Sequence, residues 1–417
     1  MSGSRPSGAA LVVWVAGAVL ALWAGAWIAT LAIAAPQGQI PRSEPQARVA
    51  DEAKHSVTRR TIHTDRYYTC MEYLMQRFDR CSRQMGFKAQ TPEECRTWQR
   101  DLRTRVAALL GLPTMIRCPL DPQVTERIET DGYVRERVLL QTEPGVIMPL
   151  YVLIPGDLRP GERRPAVLAP HGHSSAGKLS PAGRRDIYAV DDRIALYNYD
   201  YGVQLVREGF VVFCPDARGF GERREGSMQG DDEMRFISGS CQQLAHMALP
   251  LGQTVAGMWV WDLMRLIDYV QQRPECDGHR IGCAGLSGGG LQTLYLAALD
   301  ERVKCAVVSG YFYGAKEALL EMPDNCACNY VPGLWLLADM GDLGALIAPR
   351  PLLIETGDHD PLNGKRGVAN ASDQVSITRG AYRVLGAQQR LAHDIFSGEH
   401  RWHGKQAIPW LKRWLGA

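Results

Sequence analysis

The run Gly285-Leu286-Ser287-Gly288-Gly289 constrains this chain more than any other stretch. It follows the β-prone residues Arg280-Ile281-Gly282-Cys283-Ala284 and precedes Leu291 to Leu299, whose pattern is helical. A strand, a sharp turn with serine at its apex and a helix is a demanding arrangement. The turn strains the serine backbone, so the residues two positions to either side must be small enough for strand and helix to meet. Gly285 and Gly289 meet that need. The hydroxyl then stands clear of the sheet, at a helix N-terminus whose free N–H groups can receive an oxyanion. Alone, the pattern also fits an ordinary glycine-rich turn, and the flanking chain decides between the two.

Upstream, Val124–Ile128, Val134–Gln141 and Ile147–Ile154 read as consecutive antiparallel strands, parted by turns at Asp131-Gly132 and Pro144-Gly145. An alternation of strands and helices follows. Helix 201–207, strand Phe210–Cys214, helix Thr254–Gln272, strand Ile281–Ala284 and helix 289–299 come first. Strand Cys305–Ser309, strand Pro351–Glu355 and a final helix Lys405–Leu415 complete it. The expected fold class is α/β: a doubly wound, mostly parallel sheet with helices on both faces, antiparallel strands at its start and a small N-terminal helical element. That element has two helices. One lies within Tyr68 to Met85, with Met71, Leu74, Met75 and Phe78 at helical spacing. The other starts at Thr91, where Pro92 and Glu94 complete a capping box. Residues 310–350 resist reading and are expected to form a short helix pair or a lid. The domain division is 1–35 as signal peptide or membrane anchor, 36–60 as linker, 61–123 as the helical element and 124–417 as the main α/β domain.

The segment from Ala9 to Ala35 carries no charge and ends in Ala32-Ile33-Ala34 before Pro36. A cleaved signal peptide fits the small-residue end, and an uncleaved anchor fits the length. Both send the rest of the chain out of the cytoplasm, to a periplasmic, extracellular or membrane-anchored location. The net charge of +2 gives no electrostatic case for nucleic acid. Of eleven cysteines, Cys70, Cys81, Cys95 and Cys118 fall in one region where an oxidising compartment would favour disulfides. Cys214, Cys283 and Cys305 lie in apolar runs and read as buried thiols. A zinc site at Cys326-Ala327-Cys328 lacks a second pair at ligand spacing, and His171-x-His173 lacks a third ligand. No metal and no cofactor are therefore expected.

A serine hydroxyl needs a base to take its proton and a carboxylate to orient that base. In a doubly wound sheet such groups sit on loops at the carboxyl ends of strands. Strand Pro351–Glu355 runs into Thr356-Gly357-Asp358-His359-Asp360. Asp358 and Asp360 both qualify. Asp360 is favoured because the glycine turn needs two further residues before the chain faces back, and Asp358 also fits a turn-capping role. The loop Ser397-Gly398-Glu399-His400-Arg401-Trp402-His403 precedes the final helix and offers His400 as base. His403 is its rival, and His393 reads as a surface residue before a last short strand, Asp394-Ile395-Phe396. The oxyanion donors are expected to be the N–H groups of Gly288 and His173. His171 reads as a buried, hydrogen-bonded residue that shapes its loop. Arg218, in Asp216-Ala217-Arg218-Gly219-Phe220-Gly221, reads as a brace paired with a carboxylate. Trp259 and Trp261 read as core, whereas Tyr330 and Trp335 are candidates for a carbohydrate cleft.

With the serine turn, the HGH loop, DARGFGE, GDHD and GEHRWHG in this order, residues 124–417 resemble the α/β-hydrolase superfamily. The nearest likeness is its dienelactone-hydrolase-like and acetyl-xylan-esterase-like branch, which borders the prolyl-oligopeptidase group. The resemblance implies a triad of Ser287, Asp360 and His400 and hydrolysis of carboxylic esters, often acyl groups on polysaccharides or small molecules, with no cofactor. The helical segment with its four cysteines departs from a minimal hydrolase. Two alternatives stay open: a serine peptidase of the prolyl-oligopeptidase-like group, and a non-catalytic binding protein with the same fold. The first lacks the length for a propeller domain before the catalytic one.

Overall fold

The computed structural model describes residues 68–322 and 325–416. The expected signal or anchor segment, the linker and the start of the helical element lie outside the described residues. Among the described residues no helix is long and apolar enough to cross a membrane.

Among the described residues nine strands form one sheet: β1 (Gln123–Thr130), β2 (Tyr133–Glu143), β3 (Val146–Pro155), β4 (Arg164–Leu168), β5 (Val211–Pro215), β6 (Cys276–Leu286), β7 (Val303–Ser309), β8 (Leu352–Gly357) and β9 (Leu391–Phe396). Their order across the sheet is β1-β2-β3-β5-β4-β6-β7-β8-β9. The first three pair antiparallel, β3 meets β5 antiparallel, and all later pairings are parallel. The α/β class, with its antiparallel start, is thus the observed architecture.

The main helices are α1 (Met71–Cys81), α2 (Pro92–Leu109), α3 (Tyr188–Tyr197), α4 (Tyr201–Arg207), α5 (Cys241–Ala248), α6 (Val255–Val270), α7 (Gly288–Leu299), α8 (Met340–Ile347), α9 (Val368–Val384) and α10 (Ala407–Leu415). Two buried clusters cover the two faces of the sheet. Strand residues split between them with period two, as a pleat requires. Ala166, Leu168, Val211, Phe213, Ala306 and Val308 join α2, α6, α7, α8 and α9 on one side. Val167, Val212, Cys214, Ala284, Cys305 and Val307 join α3, α4 and α10 on the other. Cys214, Cys283 and Cys305 are buried thiols.

α2 begins as its sequence dictates. The Thr91 side chain accepts the Glu94 N–H, Glu94 accepts the Thr91 N–H, and Pro92 takes the first turn. α2 belongs to the core, since Cys95, Leu102 and Val106 are fully buried against it. The connection into α8 is ionic as well. Arg83 donates two hydrogen bonds to the buried Asp342 (2.8 and 2.9 Å), whose Oδ1 also accepts the Phe87 N–H at 2.8 Å. The four cysteines of this region, like the other seven, are free thiols, so the expected disulfides do not form. Cys95 is fully buried in the core. Of residues 310–350, those described fold as short turns of helix ending in α8. β1, at the sheet's border, is exposed along most of its length.

Candidate active site

Ser287 sits between β6 and α7 with φ +60° and ψ −120°, a conformation a side chain rarely adopts. Its N–H donates to the Ser309 carbonyl at 2.9 Å. The glycines around it answer to contact. A Cβ at Gly289 would lie 2.1 Å from the Pro170 oxygen, and one at Gly285 would lie 2.6 Å from the Gly289 carbonyl.

His400 stands on the loop after β9. Its Nδ1 and Asp360 Oδ2 are 2.7 Å apart, which fixes the proton on Nδ1 and leaves Nε2 free to accept. Asp360 is 4% exposed, and its other oxygen accepts the Leu362 N–H at 2.9 Å. Gly310, at φ +57° after β7, makes room for the imidazole, since a Cβ there would lie 2.8 Å from His400 Cε1. Ser287 and His400 line one cleft of about 240 Å3. The rivals are engaged elsewhere. Asp358 accepts the Gly398 N–H and pairs with the exposed His359. His403 pairs with Asp394 at 2.6 Å and stacks on Phe396 at 4.4 Å. His393 is not a surface residue before the strand. It lies within β9 and bonds Thr356, and burial lowers its pKa to about 4.

The loop after β4 faces Ser287. A Cβ at Gly172 would meet Ser287 Cβ at 2.9 Å, and one at Gly288 would meet His173 Nδ1 at 3.0 Å. The Gly288 N–H opens α7, where the helix offers it no partner. The Tyr199 hydroxyl donates to the His173 carbonyl at 2.8 Å, and Ser174 and Ala176 adopt positive φ. His171 is fully enclosed. Its Nε2 accepts the Ala217 N–H at 3.1 Å, and its Nδ1 lies 2.9 Å from Ser175 Oγ and 2.8 Å from the Gly172 oxygen. Burial lowers its pKa to about 4, so it is neutral and structural. Behind this loop, Lys178 bonds Asp216 at 2.7 Å, and Arg218 donates to both Asp262 and Glu143. Arg218 is therefore a brace.

Tyr197, Tyr199, Tyr311, Tyr313, Asn325 and Asn329 form much of the cleft wall. Sequence reasoning passed over these tyrosines. The signal was their alternation just beyond a strand or helix end, at 197-199 and 311-313. Trp335, taken as a cleft residue, is packed in the core, and Tyr330 donates its hydroxyl to the Leu319 carbonyl. Trp259 is core, and Trp261 is part-buried with its indole N–H on the Thr142 carbonyl. One juxtaposition joins residues the sequence held apart. Donor atoms of His173, Cys241, Cys326 and Cys328 all lie within 4.8 Å of one another. Each cysteine or histidine pair seemed short of partners along the chain, and the fold supplies them from three segments.

Comparison with known proteins agrees with this architecture. A crystal structure titled as a putative acetyl xylan esterase from Bacteroides fragilis superposes with a TM-score of 0.68 at 18% identity, covering 86% of this chain and 97% of its own. A glucuronoyl esterase from Solibacter usitatus gives 0.56 at 14% identity, covering 80% and 96%. The Bacillus subtilis (strain 168) protein named "Putative hydrolase YtaP" is 28% identical over 322 residues, 75% of this chain and 98% of its own length. The model of the abhydrolase family matches residues 50–394. With a match over most of its length, the chain belongs to the abhydrolase family.

Proposed function

We propose that the protein is a serine carboxylesterase that works through an acyl-enzyme. The observation that carries this reading is the 2.7 Å contact of His400 with buried Asp360 in a cleft shared with strained Ser287. Asp360 holds the His400 imidazole with its proton on Nδ1. Nε2 takes the Ser287 proton as Oγ attacks the ester carbonyl. The oxyanion is received by the N–H groups of Gly288 and His173. Collapse of the intermediate expels the alcohol, which takes the proton from His400. Water, activated by the same imidazole, then releases the acid and restores Ser287.

A carbohydrate ester is the proposed substrate class. The tyrosines and asparagines of the cleft offer both stacking faces and hydrogen bonds, and the esterase names of the structural neighbours support the same class. We place the catalytic domain outside the cytoplasm, on the strength of the charge-free segment Ala9–Ala35. Cell fractionation with N-terminal sequencing of the mature chain tests that placement, and a cytoplasmic full-length chain refutes it.

Purified protein is assayed against acetylated sugars, aryl esters and peptide amides. Ester turnover that falls to background in Ser287→Ala, with an unchanged circular dichroism spectrum, is the expected result. Retained activity in that variant removes Ser287 from the mechanism.

A further inference from the structure

His173, Cys241, Cys326 and Cys328 have no role in the esterase chemistry as side chains, yet four separate donors converge on one point. We propose that these residues bind one zinc-type divalent cation in a closed site that fixes the wall of the cleft. Three thiolates and an imidazole are a familiar structural zinc donor set, and soft sulfur donors favour zinc over magnesium or calcium. The dimensions suit it. Around a tetrahedral zinc, adjacent donors stand roughly 3.5–3.8 Å apart. Here all four lie within 4.8 Å, and Cys328 Sγ is 3.3 Å from His173 Nε2.

The surroundings are built to hold the donors. Cys241 begins α5, and the preceding Ser240 donates its N–H to the Gly219 carbonyl at 2.9 Å. Cys328 lies in a short 3-10 turn with Asn329, whose side-chain amide reaches Cys328 Sγ at 3.8 Å and the Cys326 carbonyl at 3.0 Å. The Tyr311 hydroxyl in turn orients Asn329 at 2.7 Å. Such outer partners commonly orient metal ligands. The His173 ring is flanked edgewise by Phe220 and Trp259, at 5.4 and 6.4 Å between centroids. Cys241 and Cys328 are buried.

The site ties together three segments: the loop after β4, the start of α5 and the stretch before α8. His173, Ser174, Asn325 and Cys326 also form the partition between the catalytic cleft and a neighbouring one of about 450 Å3. Four protein donors leave no open position, so the cation activates no water. It holds His173 by its side chain, one residue after Gly172, where a Cβ would meet Ser287 Cβ at 2.9 Å. On binding, each cysteine gives its thiol proton to solvent. The positioning of the oxyanion loop rests on the esterase reading, whereas the binding of metal does not.

The test uses the full chain, purified under reductant, stripped with a chelator and reloaded with zinc alone. Close to one zinc per chain after dialysis is expected, both in the wild type and in Ser287→Ala. Cobalt in place of zinc should give thiolate-to-cobalt charge-transfer absorption. Cys241→Ser and Cys326→Ser should each lower zinc affinity at least about tenfold, whereas Cys70→Ser, at an exposed thiol, should not. If the ligand variants fail to fold, the cobalt spectrum of the wild-type chain decides. A folded, reduced wild-type chain that keeps no zinc and shows no cobalt–thiolate band overturns the proposal. So does a disulfide within the cluster of metal-free protein purified in parallel without reductant. Loss of esterase turnover with retained zinc counts against the catalytic reading alone.

Discussion

At the scale of single residues, the cleft depends on absent side chains as much as on present ones. Gly310 is the clearest case: a methyl group there would fall 2.8 Å from His400 Cε1, on a backbone at φ +57° that alanine resists. Gly310→Ala should therefore push the imidazole off its line to Ser287. A fall in kcat on the order of 10²-fold is expected, with KM little changed, and steady-state kinetics on an aryl ester checks it. Glu355, at the end of β8, accepts the N–H groups of His403 and Gly404 from a fully buried position. Burial first, and the nearby Asp394 further, push its pKa up to about 7 from an ordinary 4.5. Between those values the folded chain keeps a proton that the unfolded chain releases. Stability therefore falls as pH rises through that window, and the loss is complete above 7. At ~1.4 kcal/mol per pKa unit, the cost approaches about 3 kcal/mol. His171 acts with the opposite sign. Its pKa of about 4 lies below the ordinary 6.5, so stability rises as pH climbs from 4 to 6.5. Glu355→Gln gives up one of the two N–H acceptors at every pH but carries no titration cost, so its melting temperature relative to the wild type should rise from about pH 5 to about pH 8. Thermal melts at both pH values measure it.

At the scale of elements, the N-terminal helices are part of the catalytic body. Asp342 joins them to α8 through Arg83 and Phe87, and it also closes the capping box at the start of α8 with Asp339. Its side chain is wholly buried. Asp342→Ala leaves Arg83 without its partner, and a loss of about 3–5 kcal/mol is expected from denaturant titration. These elements differ in how plainly their sequences announce them. β6 and α7 are legible because β-prone residues, glycines and an apolar helix succeed one another without ambiguity. α9 passed unseen because its buried positions include Asn370, Gln374 and Thr378. Those side chains are spent on neighbouring backbone: Gln374 accepts the Gly341 N–H at 2.8 Å, and Thr378 donates to the Gly341 carbonyl at 2.8 Å. A hydrophobic period cannot mark a helix whose inner face is held by hydrogen bonds. The contact of His400 with Asp360 was legible because loops at the ends of parallel strands converge. The sulfur-rich cluster was not, because its donors come from segments whose meeting only the folded chain reveals.

At the scale of the whole molecule, the sheet runs from an antiparallel border at β1 to a parallel one at β9. The proposed triad of Ser287, Asp360 and His400 stands at the carboxyl ends of its inner and later strands, where no single segment holds more than one of the three. Asp360→Asn should show how far the assembled set depends on its carboxylate. An isosteric amide keeps the packing but removes the charge that fixes the His400 tautomer, and a fall in kcat on the order of 10⁴-fold is expected. Labelling by a fluorophosphonate should slow in parallel. β1, meanwhile, has hydrogen-bonded strand company, among the described residues, on one flank alone, from β2. A bare ladder rung invites stray polypeptide to add itself, yet this one carries Glu126, Arg127 and Glu129 among eight residues. Charged side chains along an edge strand disfavour that addition. The border thus guards the molecule against sheet-to-sheet aggregation.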